Sequence, residues 1–404
     1  MHILFLTDNF PPEVNAPASR TFEHCREWVR LGHQVTVITC APNFPKGKVF
    51  AGYRNRLWQS EEMAGIRVIR VWTFITRNEG FVLRIADYVS FMLSAFVASF
   101  GVRRVDVIIG TSPQFFTACA AYAVALFKRR PWIFELRDIW PESIRVVSAM
   151  RHERLLDLLE RLELFLYRRA TAIVSVTHAF KANLIGRGID GDKISVITNG
   201  VDTQLFKPAP KDAALTASLG LQGKFVAGYI GTHGLAHALD TLVEAARLLR
   251  DDDRFRILML GDGAERARLK ASAEQLGLTN ILFIDSVGKA DVVLYWSLLD
   301  VAIVHLARKP LFTTVIPSKI FEAAAMSVPI LHGVEGESAE IVLSERVGLT
   351  FQPENATDLV VKLKTLAENK DLRGRLAIAG PEAASHYDRQ VLANRMLAII
   401  TGIV

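Results

Sequence analysis

Six consecutive residues, Pro317-Ser318-Lys319-Ile320-Phe321-Glu322, combine groups with complementary chemistry. Pro317 closes the preceding segment, and Ser318 is expected to cap the first turn of a helix. Free N–H groups and the positive end of the dipole make such a turn an anion site. Lys319 adds a mobile positive charge. Glu322, one turn on, offers a carboxylate to a pair of vicinal hydroxyls such as a ribose presents. Diphosphate and ribose beside one helix start would make a nucleotide-sugar site. The plainer reading is a capped surface helix with one exposed Lys and one exposed Glu.

The neighbouring chain favours the first reading. Four more segments follow predicted strands: Gly231-Thr232-His233-Gly234, Gly261-Asp262-Gly263, the loop from His305 to Thr314, and Gly333 to Gly336. In a parallel sheet these ends share one edge. Glycine there lets backbone N–H groups approach phosphate oxygens. Arg308 and Lys309 add positive charge upstream of the helix. Each loop alone is a weak signal, more often a tight turn than a site.

The elements that position these loops alternate. His2 to Leu6 reads as a buried strand, followed by a loop with Pro11, Pro12, Glu13 and Asn15, a helix from about Arg20 to Leu31 stopped by Gly32, and a strand from Gln34 to Thr39. That is a βαβ unit and predicts a parallel sheet. There is no G-x-G-x-x-G after the first strand. Further strands are expected at 66–72, 105–110, 132–136, 172–176 and 193–198. A Pro-containing linker then precedes a second alternation of strands and helices that begins at Phe225. The prediction is an α/β chain of two doubly wound parallel-sheet domains: 1–201, a linker at 202–212, 213–385, and a final segment 386–404 whose helix would be consistent with a return to the first domain.

Net charge is +6, concentrated in the first half: residues 1–200 hold 26 Lys+Arg against 18 Asp+Glu. A basic first half suits an anionic partner, such as a membrane surface or a phospholipid-like substrate. No nucleic-acid motif is present, so nucleic acid is not expected as a partner. Phe81 to Phe100 is strongly apolar, but its uninterrupted part is about 13 residues, short of the roughly 20 that span a bilayer. It reads as a core or interfacial helix, with Arg103, Arg104, Lys128, Arg129 and Arg130 nearby to meet an anionic leaflet. Cys25, Cys40 and Cys119 show neither disulfide nor metal spacing, and Met1 to Leu6 reads as a strand and not a leader. A cytoplasmic location is expected, with peripheral attachment to the inner membrane. Asp190-Gly191-Asp192 reads as a turn before a strand, and no metal is expected.

Taken together, Pro11-Pro12-Glu13, Gly32-His33-x-Val35-x-Val37, Asn199-Gly200-Val201-Asp202, Gly261-Asp262-Gly263 and Pro317 to Glu322 resemble the family 4 retaining glycosyltransferases of GT-B fold. The runs Glu135 to Ser143 and Ser318 to Glu322 resemble bacterial transferases of N-acetyl-L-fucosamine in O-antigen or capsule assembly. The resemblance implies two Rossmann-like domains facing across a cleft. It implies a nucleotide sugar in the second domain, read here as a UDP-sugar, and an acceptor in the first; the basic first half and the apolar 81–100 stretch point to a polyprenyl-diphosphate-linked saccharide as that acceptor. No cofactor is implied. Glu322 maps to the second acid of the family's E-x7-E motif; the first maps to Thr314, which is not acidic.

The family's Gly-Gly in the first loop is Asn15-Ala16 here. By resemblance the donor contacts are Asn15, Ala16, Asn199, Gly231, Thr232, His233, Gly234, Gly261, Asp262, Gly263, Lys309, Ser318, Lys319 and Glu322. Glu13 is the acceptor candidate. Glu135, Arg137 and Asp138 are read as lying after a first-domain strand and as candidates near the donor sugar; the competing reading is an Arg–Asp pair bracing Trp140. Two rival functions share the fold: a UDP-sugar 2-epimerase, which needs no acceptor, and a catalytically silent nucleotide-sugar-binding partner.

Overall fold

The computed structural model describes residues 1–44, 47–76, 81–139 and 153–404. Trp140, Pro141 and Glu142, and with them the expected bracing pair at Trp140, lie outside the described residues. The chain forms two compact units, Met1–Thr198 with Arg389–Val404, and Asn199–Asp388.

The first unit is built on an eight-stranded sheet of β1 (His2–Leu6), β2 (Gln34–Cys40), β3 (Trp58–Met63), β4 (Ile66–Val71), β5 (Val107–Thr111), β6 (Trp132–Leu136), β7 (Ala172–Ser175) and β8 (Ile194–Val196). Their order is β3-β4-β2-β1-β5-β6-β7-β8. All pairs are parallel except β3–β4. Both faces are covered, as a parallel sheet requires. Alternate residues of β1 feed separate cores, Leu4 and Leu6 on one face and Ile3 and Phe5 on the other. The second face is closed by the helices Ala16–Arg30 and Arg389–Ile403, where the buried indole of Trp28 donates to the carbonyl of Ala393 at 2.9 Å. β3 escaped the sequence reading because it is a half-exposed edge hairpin strand, Trp-Gln-Ser-Glu-Glu-Met, with no apolar run.

The second unit holds β9 (Phe225–Ile230), β10 (Phe255–Leu260), β11 (Ile281–Ile284), β12 (Val301–His305), β13 (Ile330–Gly333) and β14 (Gly348–Thr350), in the order β11-β10-β9-β12-β13-β14, all parallel. The Pro-containing stretch expected as a linker lies inside this unit. Val201 bridges to Asp388, and a short helix, Ala213–Ser218, starts from an Asp212 cap. The two-domain α/β architecture is the one expected.

In each sheet the strand order reverses beside the first strand: between β1 and β5, and between β9 and β12. Open α/β sheets bind ligands at the carboxyl ends of such strands.

Candidate functional site

In the second unit the loops after β9 and β10 interlock. His233 N donates to Asp262 O at 2.9 Å, and Glu265 N donates to His233 O at 2.9 Å. Gly261 and Gly263 have φ of +147° and +157°, and a Cβ on either would collide with the backbone of the β9 loop. The loops after β9 and β12 are joined as well: Ala307 N donates to Ala236 O at 2.8 Å, and His305 Nδ1 lies 2.7 Å from His237 O. His305 Nε2 accepts from Glu354 N, so Nδ1 carries the proton and donates. Gly231, Thr232, Gly234, Asp262 and Gly263 thus gather at the switch-point edge, with Thr232 and Asp262 exposed.

His233 departs from expectation. It is fully buried, its ring set beside Tyr229 and Phe283 and neither nitrogen hydrogen-bonded. Burial, with Arg266 adding to it, lowers its pKa to about 4, so its ring is neutral and braces the loop, where a donor contact was expected. Arg266, which the sequence reading missed, opens the helix after the β10 loop and pairs with Asp285 at 2.6 Å.

Ser318 is a second correction. Its backbone is helical, φ −61° and ψ −17°, and its side chain makes no cap hydrogen bond. The helix it precedes is short, Lys319–Ala325. Lys319 Nζ is instead paired with Glu322 Oε2 at 2.9 Å, with the ammonium about one-third exposed and the carboxylate nearly buried. Topology puts this pair on the chain between β12 and β13, at the same carboxyl edge as the glycine loops. Lys309 is exposed at the start of a 3-10 turn, Pro310–Thr314, in which the Thr314 hydroxyl donates to Leu311 O. Asn199, half-buried, opens the unit.

In the first unit Glu135 lies within β6, not after it, and is 1% exposed. It pairs with Arg20 at 3.0 Å, and Arg20 also donates to the carbonyls of Ile197 and Thr198. Burial opposes its charge, but the guanidinium groups of Arg20 and Arg137 prevail and hold its pKa below the usual glutamate value. Glu135 is therefore a buried brace within the sheet. Arg137 and Asp138 stand half-buried at the strand end, their amides donating to Ser112 Oγ at 2.7 and 3.1 Å. Burial lowers the Arg137 pKa to about 10.

Asn15 is also corrected. Its Oδ1 accepts from Ala18 N as the cap of Ala16–Arg30, and its Nδ2 donates to Asn9 Oδ1, so both ends of its side chain are engaged. Ala16 is the first helical residue. Glu13 is buried, accepting from the amides of Asn43 and Phe44. Arg20 gave no sequence signal, being one polar position in an amphipathic helix.

Two nucleotide-type α/β units, each with polar groups gathered at its switch point, define a GT-B transferase. The chain matches the model Glycosyltransferase Family 4 over residues 18–205 and Glycosyl transferases group 1 over 213–383, and it belongs to these glycosyltransferases. WcaI of Escherichia coli K12, named as a glycosyl transferase of colanic acid biosynthesis, is 25% identical over 291 residues, covering 70% of this chain and 71% of the relative. WcaL of the same organism, similarly named, is 27% identical over 241 residues, covering 58% and 57%. Among solved structures, Anabaena HepE in complex with UDP and glucose aligns with a TM-score of 0.74 at 18% identity, over 100% of this chain and 99% of that one.

Proposed function

We propose that this glycosyltransferase moves a sugar from a UDP-linked donor held by the second unit to a lipid-linked saccharide held by the first, in bacterial surface-polysaccharide assembly. The donor sugar of this reading is N-acetyl-L-fucosamine or a related N-acetylated sugar. The observation that carries the proposal is the Lys319–Glu322 pair beside the interlocked glycine loops. An arriving diphosphate draws the Lys319 ammonium away and leaves the Glu322 carboxylate to accept from the ribose hydroxyls. Relatives named for colanic acid synthesis and a structural neighbour solved with UDP support the same reading.

The chemistry needs charge stabilisation more than a nucleophile. As the anomeric C–O bond breaks, negative charge builds on the diphosphate, and preorganised cations and N–H dipoles stabilise it. Lys319 and Lys309 supply the charge, and the loops after β9 and β10 the N–H groups. A leaving phosphate oxygen accepts the acceptor proton on the same face, which retains configuration.

Calorimetry of UDP, GDP and dTDP tests this, with and without EDTA. Selective, EDTA-insensitive UDP binding is expected. Glu322→Ala is expected to weaken UDP about tenfold or more, the effect of losing hydrogen bonds to a charged group. Unchanged UDP affinity in that variant would remove the ribose assignment.

The acceptor lipid places the first unit at a bilayer surface. Among the described residues no helix is long and apolar enough to cross a membrane. The helices Phe81–Ser99 and Phe115–Lys128, with Phe100 just past the first, nonetheless present exposed apolar side chains: Leu93, Val97, Phe100, Leu126 and Phe127. Phe100 and Phe127 pack at 4.6 Å between ring centroids, and exposed Arg103, Arg104, Arg129 and Arg130 stand beside them in the chain. Lys128, half-buried, donates to Val102 O. An aromatic patch with a basic border fits an anionic leaflet. The protein is expected to sediment with phosphatidylglycerol-containing vesicles at low salt, and Phe100→Ser/Phe127→Ser to stay in the supernatant. Equal sedimentation of the two proteins would rule out this patch.

A further inference from the structure

The first unit has a second polar centre at its own switch point. Asp8 follows β1 and Gln114 follows β5, and Gln114 Nε2 donates to Asp8 Oδ2. The Asp8 carbonyl accepts from Thr39 Oγ1 at 3.0 Å and from Cys40 Sγ at 3.3 Å, which fixes the loop to the end of β2. Asp87 reaches in from the helix Phe81–Ser99, with Thr73 Oγ1 donating to its Oδ1 at 2.5 Å. Asp8, Asp87 and Gln114 are half-buried.

Hydrogen-bond acceptors are in excess there. Glu13 is 4% exposed; its Oε1 takes two amides at 2.8 Å, and its Oε2 is buried with no partner. Gln114 Oε1 is likewise buried without a partner. A buried acceptor left unpaired costs its full desolvation, so these oxygens call for a donor that the described residues do not supply. Arg70 cannot supply it, being committed to Glu61, Cys40 O and Pro11 O. Arg84, exposed, donates to Tyr88 at 3.3 Å. Burial raises the pKa of Asp8, Glu13 and Asp87, and for Asp8 the charges of Asp87 and Glu13 add to it.

The border is apolar. Phe44 and Phe74 are 46% and 41% exposed. The amide of Phe44 donates to Glu13, and that of Phe74 to Ser90 Oγ, itself 3.0 Å from Thr73 Oγ1. Carboxylates that accept, flanked by exposed rings, suit a sugar ring with O–H donors at its edge and C–H groups on its face.

We propose that Asp8, Glu13, Asp87 and Gln114, flanked by Phe44 and Phe74, form the subsite for a hydroxyl- or amine-bearing acceptor sugar, and that this subsite rejects uronic acids and phosphorylated sugars. The inference rests on the transfer reading, and it sets the chemistry of the acceptor ring.

The probes are methyl β-D-glucoside, methyl β-D-glucosaminide and methyl β-D-glucuronide, measured by saturation-transfer NMR on the full chain with and without UDP. The first two are expected to bind and the glucuronide to give at most about one-tenth of their signal. Glu13→Gln and, at the half-exposed position, Asp87→Asn are each expected to weaken the glucosaminide about tenfold. Equal signals from glucuronide and glucoside, no signal from any glycoside, or binding untouched by both substitutions overturns the subsite. Calorimetry of UDP on the same samples separates the two claims: UDP binding without glycoside discrimination overturns the subsite alone, whereas absent UDP binding overturns the transfer reading and leaves the glycoside pattern to judge the subsite.

Discussion

Arg20→Leu is expected to cost the first unit about 3–5 kcal/mol of stability, the range for breaking a buried ion pair by removing one partner. Arg20 is 3% exposed and Glu135 1%. The substitution leaves a buried carboxylate without its bonded partner, and it strips the carbonyls of Ile197 and Thr198 of their donors. Arg20→Leu/Glu135→Leu is expected to recover much of the loss, because the uncompensated charge goes with the second substitution. pH gives an independent check. The Glu135 pKa is held below its unfolded value, so in the wild type its contribution is present above about pH 4.3 and is lost as pH falls through the folded value. In Arg20→Leu the same carboxylate is destabilised by burial and is relieved when it takes up a proton. The gap between the two proteins in urea unfolding is therefore expected to narrow from pH 7.5 to pH 5. A gap that stays constant would mean that lost packing, and not charge, accounts for the effect.

The Arg20–Glu135 pair also shows where sequence reading stops. Strands such as His2–Leu6 and Phe225–Ile230 were legible because each is a short apolar run closed by turn residues, and the alternation with helices made the parallel sheets legible in turn. Glu135 was singled out for chemistry because it is a carboxylate near the end of a strand beside Arg137 and Asp138. What it bonds to is 115 residues away, and a partner at that separation leaves no local pattern. His233 failed for a related reason. Its position in a glycine loop was readable, but whether the ring turns outward or inward depends on Tyr229 and Phe283. Lys319 and Glu322 were read for separate ligand groups, and that they bond to each other follows from a helical spacing of three, which makes them neighbours. The centre at Asp8, Glu13, Asp87 and Gln114 draws on three separate segments of the chain, and of these only Glu13 stood out in the sequence.

Gly261→Ala is expected to abolish measurable UDP binding and to destabilise the second unit by about 3 kcal/mol or more, at the upper end for a strained or overpacked position. Two effects coincide. The residue has φ of +147°, where an L side chain is strained, and its Cβ would stand 1.8 Å from the carbonyl oxygen of Gly231. The obstacle is backbone and not a flexible side chain, so relief requires the β9 and β10 loops to part. Parting them breaks the bonds between His233 and both Asp262 and Glu265, and it withdraws the N–H groups assigned to the diphosphate. Gly234→Ala is the control. It lies in the same loop at φ −117°, and its added Cβ meets nothing closer than 3.6 Å. That variant is expected to keep UDP affinity within about threefold and stability within about 1 kcal/mol. Calorimetry of UDP and thermal unfolding of both variants decide the matter. If Gly261→Ala bound UDP like the wild type, the diphosphate would have to be held by Lys319 and Lys309 without the glycine loops. If Gly234→Ala lost binding while staying folded, the ligand would approach Gly234 too closely to admit a Cβ, and the loss at Gly261 would no longer report the interlocked loops alone.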